Sequence, residues 1–575
     1  MDAIPQAQNL NITSATNGVP NQVQTNGGFI YYATIGAIFI CAWVFYSPRR
    51  KPYVSAPFYQ VPRMRWMLNA DTLIKDSYRK FRDSVYQIKS TEGVRTIIPP
   101  TLVGELKGLP EDTLSAKTAV SEAMLSEYTH LSADAHSDIL TFLLRTKATH
   151  NLQRMMSTLK EEFQFIMATE FPACEDWTSF KIQPFMVRAV SRLSGRAFVG
   201  SALSRSEEWM NVSVNFAVTA FIAVTKLQFF PPWMRPAAQY LVSELRTIRK
   251  DLAKAQAMLE PLIEERLAGA EDMSGSGKPD DFIQWLSDAL PDEEKRNYFI
   301  QAKMQLLLSA SSIHTTSNLT TDCIYDLAVH QEMQEILREE VIEVFEREED
   351  AWERRDSIAK LKKMDSFIKE SQRLSGNVTS FIRKVMKPID LSDGTHLPSG
   401  TSLLTPLAGI SLDERYYPGP EVFDGLRFWK LRQQQQSPAP TRSSSPTPSS
   451  PTFASSSSSS PSSSTTTTTP SNPSTATSSP PSSPPTSSRP PAQPNRSGYQ
   501  FTSIGDTNQN FGLGKHACPG RFFAAQEIKL ILSYLLLNYE IKLRDGEPRP
   551  KPVVFMMTKS PSQTAEVLFR RRKRA

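Results

Sequence analysis

Cysteine is scarce in this chain. The four present, Cys41, Cys174, Cys323 and Cys518, are scattered over 575 residues, so they give no disulfide framework, and none is spaced to complete a zinc or iron–sulfur site with Cys518. A large excess of charge of one sign is missing too. The formal net charge is +6, and no dispersed basic and aromatic pattern accompanies it, which argues against a nucleic-acid binder. Two stretches lack whole classes of side chain. From 27 to 46 there is no charged residue, and as a helix such a run reaches about 30 Å, the thickness of a bilayer core. From 433 to 497 apolar residues nearly vanish and Ser, Pro, Thr and Gln take over, a composition that buries too little surface to offset the entropy of ordering.

These gaps divide the chain. We expect a lumenal tail over 1–26, a transmembrane helix over 27–46, a folded body over 53–432 and 498–569 interrupted by a disordered insertion over 433–497, and a basic tail over 570–575. Tyr31, Tyr32, Trp43 and Tyr46 sit towards the ends of the apolar run, and Pro48, Arg49, Arg50, Lys51 and Pro52 follow it. Positive charge on that flank, with none before it, predicts a lumenal N-terminus and a cytosolic body in the endoplasmic reticulum membrane. A cleaved signal peptide, the alternative, wants basic residues first and a small-x-small site afterwards. Asn11 heads a glycosylation sequon on the lumenal side. The insertion reads as a tolerated surface loop, since closure entropy grows only logarithmically with length; a phosphorylated regulatory loop and a retained intron are the alternatives. Between Thr118 and Arg373 helical periodicity dominates, with strand-like runs at Val94–Ile98, Val378–Met386 and Val553–Met557. The expected class is mainly α with small β sheets.

One cysteine has a telling neighbourhood. Phe511, Gly512, Leu513, Gly514, Lys515, His516, Ala517, Cys518, Pro519, Gly520 and Arg521 lead into an apolar helical stretch. Glycines let the backbone approach a flat ligand, and the helix N-terminus turns its free N–H groups towards the sulfur. This favours thiolate over thiol and suits the axial ligand of a haem iron. An inert buried cysteine beside a tight turn is the plain alternative.

The string resembles the haem-binding loop of the cytochrome P-450 monooxygenases, F-x-x-G-x-[HR]-x-C-x-G, with every specified position filled. Two upstream landmarks follow in order. Glu370 and Arg373 give an E-x-x-R pair on one helix face, and the segment Phe423–Phe428 supplies a second arginine, Arg427. The resemblance implies a cytochrome P-450 fold, haem b ligated through Cys518, and a Glu370–Arg373–Arg427 clamp holding the core beneath it. It implies haem contacts from Phe511 and Gly514, and propionate partners in His516 and Arg383. Arg145 matches less securely and reads more simply as a solvated arginine.

Leu306–Thr316 is the candidate oxygen-activating helix. Ser311 and Ser312 leave room beside a macrocycle, and Ser or Thr hydroxyls bond back into the helix ladder. Thr315 aligns with the family threonine that hydrogen-bonds iron-bound dioxygen. Where the family has glycine and an acid, this chain has Ser312 and His314; His314 is either a substitute proton carrier or a structural polar residue. The Ile-His-Thr-Thr string, and Leu102–Pro110, resemble filamentous-fungal ent-kaurene oxidase-like and indole-diterpene members. The implied function is a monooxygenase that inserts one oxygen from dioxygen into a lipophilic secondary metabolite such as a terpenoid, with electrons from NADPH through a reductase. Phe216–Met234 matches the lid over the active site, and Phe221, Leu308, Ile313, Val378, Phe381 and Met557 are candidate pocket residues. The alternatives are a haem-thiolate isomerase or dehydratase that needs no dioxygen, and a non-catalytic membrane haem-binding protein.

Overall fold

The computed structural model describes residues 54–91, 93–131, 135–272, 279–347, 352, 357–436 and 496–573. The 1–26 tail with Asn11, the 27–46 run, Cys41 and 437–495 lie outside the described residues.

Helices build the body. The central one, Tyr298–Val329 (α4 below), begins where the Asn297 side chain accepts the Ile300 amide at 3.1 Å, which satisfies one of the free N–H groups of a helix start. Most of its length is buried on all sides, the pattern of a core helix. Three earlier helices pack around it: α1 (Ile182–Phe198), α2 (Glu207–Gln228) and α3 (Ser243–Asp272). The start of α2 is fixed by Ser206, whose hydroxyl accepts the Trp209 amide, and by Glu207 and Glu208 in its first turn. This helix is long and apolar enough to cross a membrane, but half of its most apolar stretch is buried in the body.

Among the described residues the largest sheet has six strands, in the order Phe58–Tyr59, Tyr86–Ser90, Gly93–Ile97, Ser402–Thr405, Ser380–Val385, Leu114–Ser115. Of the three expected strand runs, one appears shifted by a residue as Gly93–Ile97 and two appear with shorter bounds as Ser380–Val385 and, in a separate two-stranded sheet, Val553–Phe555. The register slips between Ser380 and Arg383, where Phe381 takes φ 52°, and such a bulge re-aims the side chains that follow it. The boundary at 570 needs correction. Val567–Arg571 is a strand paired with Tyr539–Lys542, and Arg570 bonds Glu540 across it, so the first two arginines of the basic run belong to a sheet.

The remaining helices hold the site. Helix α5 (Lys362–Ser375) carries Glu370 and Arg373, α6 (Arg427–Gln436) starts at the second arginine, and α7 (Arg521–Asn538) follows the Cys518 loop. The insertion is narrower than 433–497, because α6 runs on to Gln436 and a 3-10 turn begins at Arg496. Both of its flanks return to Asp365 on α5. Arg432 of α6 lies 3.4 Å from one carboxylate oxygen, the Phe501 amide donates to the same oxygen at 2.8 Å, and Lys529 of α7 donates to the other at 2.7 Å. Burial alone would raise the Asp365 carboxyl, but Lys529 and Arg432 hold it below its ordinary range. Lys369, one turn along, donates to the Gln500 carbonyl and Ser503 hydroxyl, each at 2.7 Å, and burial lowers its ammonium to about 7.

The described flanks on either side of 437–495 are thus pinned to one carboxylate. Replacing 437–494 by a short Gly-Ser linker should leave the thermal midpoint and haem content unchanged, measured by calorimetry and by absorbance. Loss of haem would show that the segment is structural.

Candidate haem-thiolate site

The Glu370 carboxylate is fully buried. Arg373 grips it with two parallel bonds of 2.8 and 2.9 Å, Arg427 donates to the same group at 3.0 Å, and the Asp424 amide adds a fourth bond at 3.1 Å. The guanidinium groups then reach outward: Arg373 to the carbonyls of Ser411 and Pro420, Arg427 to those of Pro418, Gly419 and Val422. An irregular stretch is thereby tied to α5, and the expected clamp is present in full. Forked guanidinium–carboxylate geometry explains why arginine fills both positions.

The Cys518 loop is closed by its own backbone, the Cys518 amide donating to the Phe511 carbonyl at 2.7 Å. Phe511 packs edge-on against Phe501. Gly514 has φ 64°, and a Cβ there would meet the Lys107 carbonyl oxygen at 2.6 Å, so glycine is required for conformation and for space alike. The amides of Gly520 and Arg521, at the start of α7, bond the Cys518 sulfur. Burial is nonetheless the larger influence and pushes the thiol up. The helix N-terminus therefore opposes the effect of burial on this thiol without outweighing it, which differs from the thiolate expected from the sequence. The sulfur is enclosed by protein on most sides yet reachable by water, as a side chain facing an internal hollow would be.

Cationic groups ring the loop. Arg383 is buried, with its guanidinium over the Phe381 ring at 4.3 Å, and desolvation lowers it to about 10. His516 is lowered by burial and by Arg383, with Lys515 and Arg145 adding to the effect. Its Nε2 lies 2.5 Å from Glu111 Oε1 without the alignment of a hydrogen bond, and Arg521 Nε is also buried with no acceptor. Arg145 is exposed, as expected of a solvated arginine, and also donates to the Lys515 carbonyl. Arg383, Arg145, Arg521 and Lys515 beside the Glu111 carboxylate fit a group bearing two carboxylates, and the glycine-lined loop with its accessible sulfur fits a flat iron macrocycle. Haem supplies the redox-active iron; Cys518 would ligate it, and Arg383, His516 and Arg145 stand where its propionates need partners.

On α4, Ser311 and Thr315, one turn apart, are exposed while Leu308, Ser309, Ile313, Thr316 and Ser317 around them are buried, so one face of a core helix borders open space. Their hydroxyls bond back to Leu307 and Ser311 carbonyls at 2.7 and 2.8 Å. Ser312 behaves differently from the expectation and turns to Ser194 of α1 at 2.9 Å. His314 Nε2 lies 2.9 Å from the Val214 carbonyl of α2. A carbonyl only accepts, so that nitrogen carries the proton and is committed to joining two helices, which favours the structural reading of this residue. Of the pocket candidates, Leu308, Val378 and Phe381 are buried and Met557 partly so. Ile313 is buried as well, but two residues from Thr315 is about 200° round a helix, so it faces away from the hollow. Phe221 is 48% exposed on the outer face of α2 and lines no interior. A surface groove of about 570 Å³ between α2 and α3, lined by Glu208, Asn215 and Asp251 among others, holds none of the site residues.

Glu111, Asp365, Lys369 and Glu527 were not singled out by the sequence reading. Glu527 had a signal: it is the one acid in the mainly apolar 521–538 run.

Comparison with known proteins agrees with this geometry. The family model described as Cytochrome P-450 matches residues 128–444 and 499–567. A cytochrome P-450 monooxygenase of Emericella nidulans is 32% identical over 91% of this chain and 88% of its own length. One from Penicillium roqueforti is 31% identical over 93% and 89%, and an ent-kaurene oxidase of Gibberella intermedia 29% over 89% and 85%. The solved structure of retinoic acid-bound cyanobacterial CYP120A1 has a TM-score of 0.61 at 16% identity, covering 91% of this chain and 99% of that one.

Cys518→Ala should abolish the long-wavelength Soret band of the reduced carbon monoxide adduct while leaving the chain folded by circular dichroism; an unchanged band would rule out this ligand. Glu370→Ala strands two buried guanidinium groups and should cost about 3–5 kcal/mol in denaturant unfolding.

Proposed function

Because this chain belongs to the cytochrome P-450 family, whose monooxygenases incorporate oxygen from dioxygen, we propose that it hydroxylates or otherwise oxidises a lipophilic secondary metabolite of the terpenoid class. The observation that carries this is the pairing of an enclosed, water-reachable Cys518 with the open Ser311–Thr315 face of α4. Thr315 keeps a hydroxyl on that face, which an isomerase or dehydratase acting without dioxygen would not need. The lipophilic substrate is supported by the exposed apolar surface running from α2 into the following turn, with Phe221, Ile222, Phe229, Trp233 and Leu241 turned outward. It is supported too by the relative named for ent-kaurene.

In this reading the chain is anchored in the endoplasmic reticulum membrane through 27–46, with Asn11 lumenal and glycosylated, and takes electrons from NADPH through a membrane-bound reductase. The apolar surface admits substrate from the bilayer side. Arg383, His516 and Arg145 would orient the cofactor, the Cys518 loop would hold it through the sulfur, and Thr315 holds a proton at its Oγ1 beside the open face of α4.

Microsomes containing the chain and a reductase, supplied with NADPH, labelled dioxygen and either ent-kaurene or an indole diterpene, should form product carrying one labelled oxygen. Product formed without dioxygen would defeat the monooxygenase reading, and failure of every terpenoid would defeat the substrate class. Thr315→Ala should keep haem yet divert NADPH consumption into peroxide; full coupling in that variant would remove Thr315 from oxygen activation.

A further inference from the structure

Charges beside the Cys518 loop are not paired evenly. The stretch 107–115 lies against that loop and against a sheet edge together. The Lys107 carbonyl oxygen crowds Gly514, 2.6 Å from where a Cβ would stand, and Leu114–Ser115 pairs with Ser380–Val385, the strand that carries Arg383. Three lysines around this stretch each bond an acid of their own. Lys107 donates to Asp506 at 2.9 and 3.1 Å, Lys384 to Glu122 at 2.8 Å, and Lys387 to Asp112 at 2.5 Å. Glu111 instead faces His516 and Arg383.

Glu111 does not owe its place to those two cations. The Thr113 and Leu114 amides donate to the Pro110 carbonyl at 3.0 and 2.8 Å and close a turn around it. Its carboxylate then meets the start of the helix Ala116–Ala123, where the Ala116 amide donates to Oε1 at 3.3 Å and the Ser115 hydroxyl and Lys117 amide bond the same group. Free N–H groups at a helix start favour a negative charge. The carboxylate is therefore anchored from behind, with its front 2.5 Å from His516 Nε2 and in the field of Arg383.

His516 and Arg383 are also the groups that stand where the carboxylates of haem need partners. A second carboxylate cannot come within their reach without approaching Glu111, and like charges a few ångströms apart repel by an amount that solvent reduces but does not remove. Reduction of the iron adds an electron, which a fixed negative charge close by also opposes.

We propose that Glu111 sets the charge of the haem site: a protein carboxylate built into its cationic rim, which loosens the hold on the cofactor's own carboxylates and lowers the reduction potential of the iron. It is a positioning residue, acting through the field at His516 and Arg383. The inference rests on the haem-thiolate reading and is independent of which substrate the enzyme takes.

The test uses the full-length chain loaded with haem. The long-wavelength band of the reduced carbon monoxide adduct is recorded first; its absence from the unmutated protein would defeat the haem-thiolate reading and this inference with it. Transfer of haem to excess apomyoglobin then measures release, and a reductive titration followed by absorbance measures the potential, neither of which needs substrate, reductase or dioxygen. Glu111→Gln keeps the shape and an acceptor oxygen but removes the charge. It should release haem about tenfold more slowly, the order of effect of one screened charge at short range, and its potential should rise. Glu111→Asp, which keeps the charge, should match the unmutated protein in both. Should Glu111→Gln fail to fold, Glu111→Asn and Glu111→Asp, which differ only in charge, are compared in its place. Unchanged or faster haem release in the neutral variant, or a potential that does not rise, would overturn the proposal and leave Glu111 as a cap of the helix Ala116–Ala123.

Discussion

Glu370 has no access to water, and its carboxylate is shared by Arg373, Arg427 and the Asp424 amide. Removing a charge from water is unfavourable, and only near-complete pairing offsets it. The cluster tolerates no partial assembly, so α5, the 411–424 stretch and the start of α6 form together or not at all. Asp365 repeats the arrangement one and a half turns earlier on α5, drawing in α6, Phe501 and α7. Since α7 begins three residues after Cys518, the loop that presents the sulfur is positioned by two buried carboxylates on one helix.

Much of this was legible in the sequence, for reasons that differ by residue. The Phe511–Gly520 string, Glu370, Arg373 and Arg427 announce themselves because each has a geometry few other residues satisfy. Gly514 is an example, excluded from any side chain by both its φ and the Lys107 carbonyl. Glu111, Asp365 and Ser194 were not legible, since their roles arise from contacts between elements distant in sequence. Charge on a helix reads as solvent-exposed until tertiary packing shows otherwise. The same limit hid the loop contact of the exposed Arg145, whose partner lies 370 positions away, and misjudged Ile313, whose apolar character said nothing of which way it faced. The state of the Cys518 thiol was misjudged through weights: two amide N–H groups lower it, but burial raises it more.

Hydroxyl groups organise the centre of the body. Along α4, Ser311, Thr315, Thr320 and Thr321 bond back to carbonyls of their own helix, which spares buried hydroxyls an unpaired state and loosens the ladder where they do so. Ser312 breaks this habit and bonds outward to Ser194. The central helix thus carries a band of hydroxyls, open on the Ser311–Thr315 side and joined through Ser312 and Ser194 to α1 and α7 on the other.

Because Arg432 and Phe501 converge on the same buried Asp365 carboxylate, the two flanks of the 437–495 segment are anchored at one point of the body. Any polypeptide with neighbouring termini can be accommodated between Gln436 and Arg496 without straining either flank. A redox domain grafted there would be confined close to α7, at the effective concentrations, on the order of millimolar, that short tethers produce. The long serine-rich segment thereby marks a natural port for building a self-sufficient single-chain oxygenase.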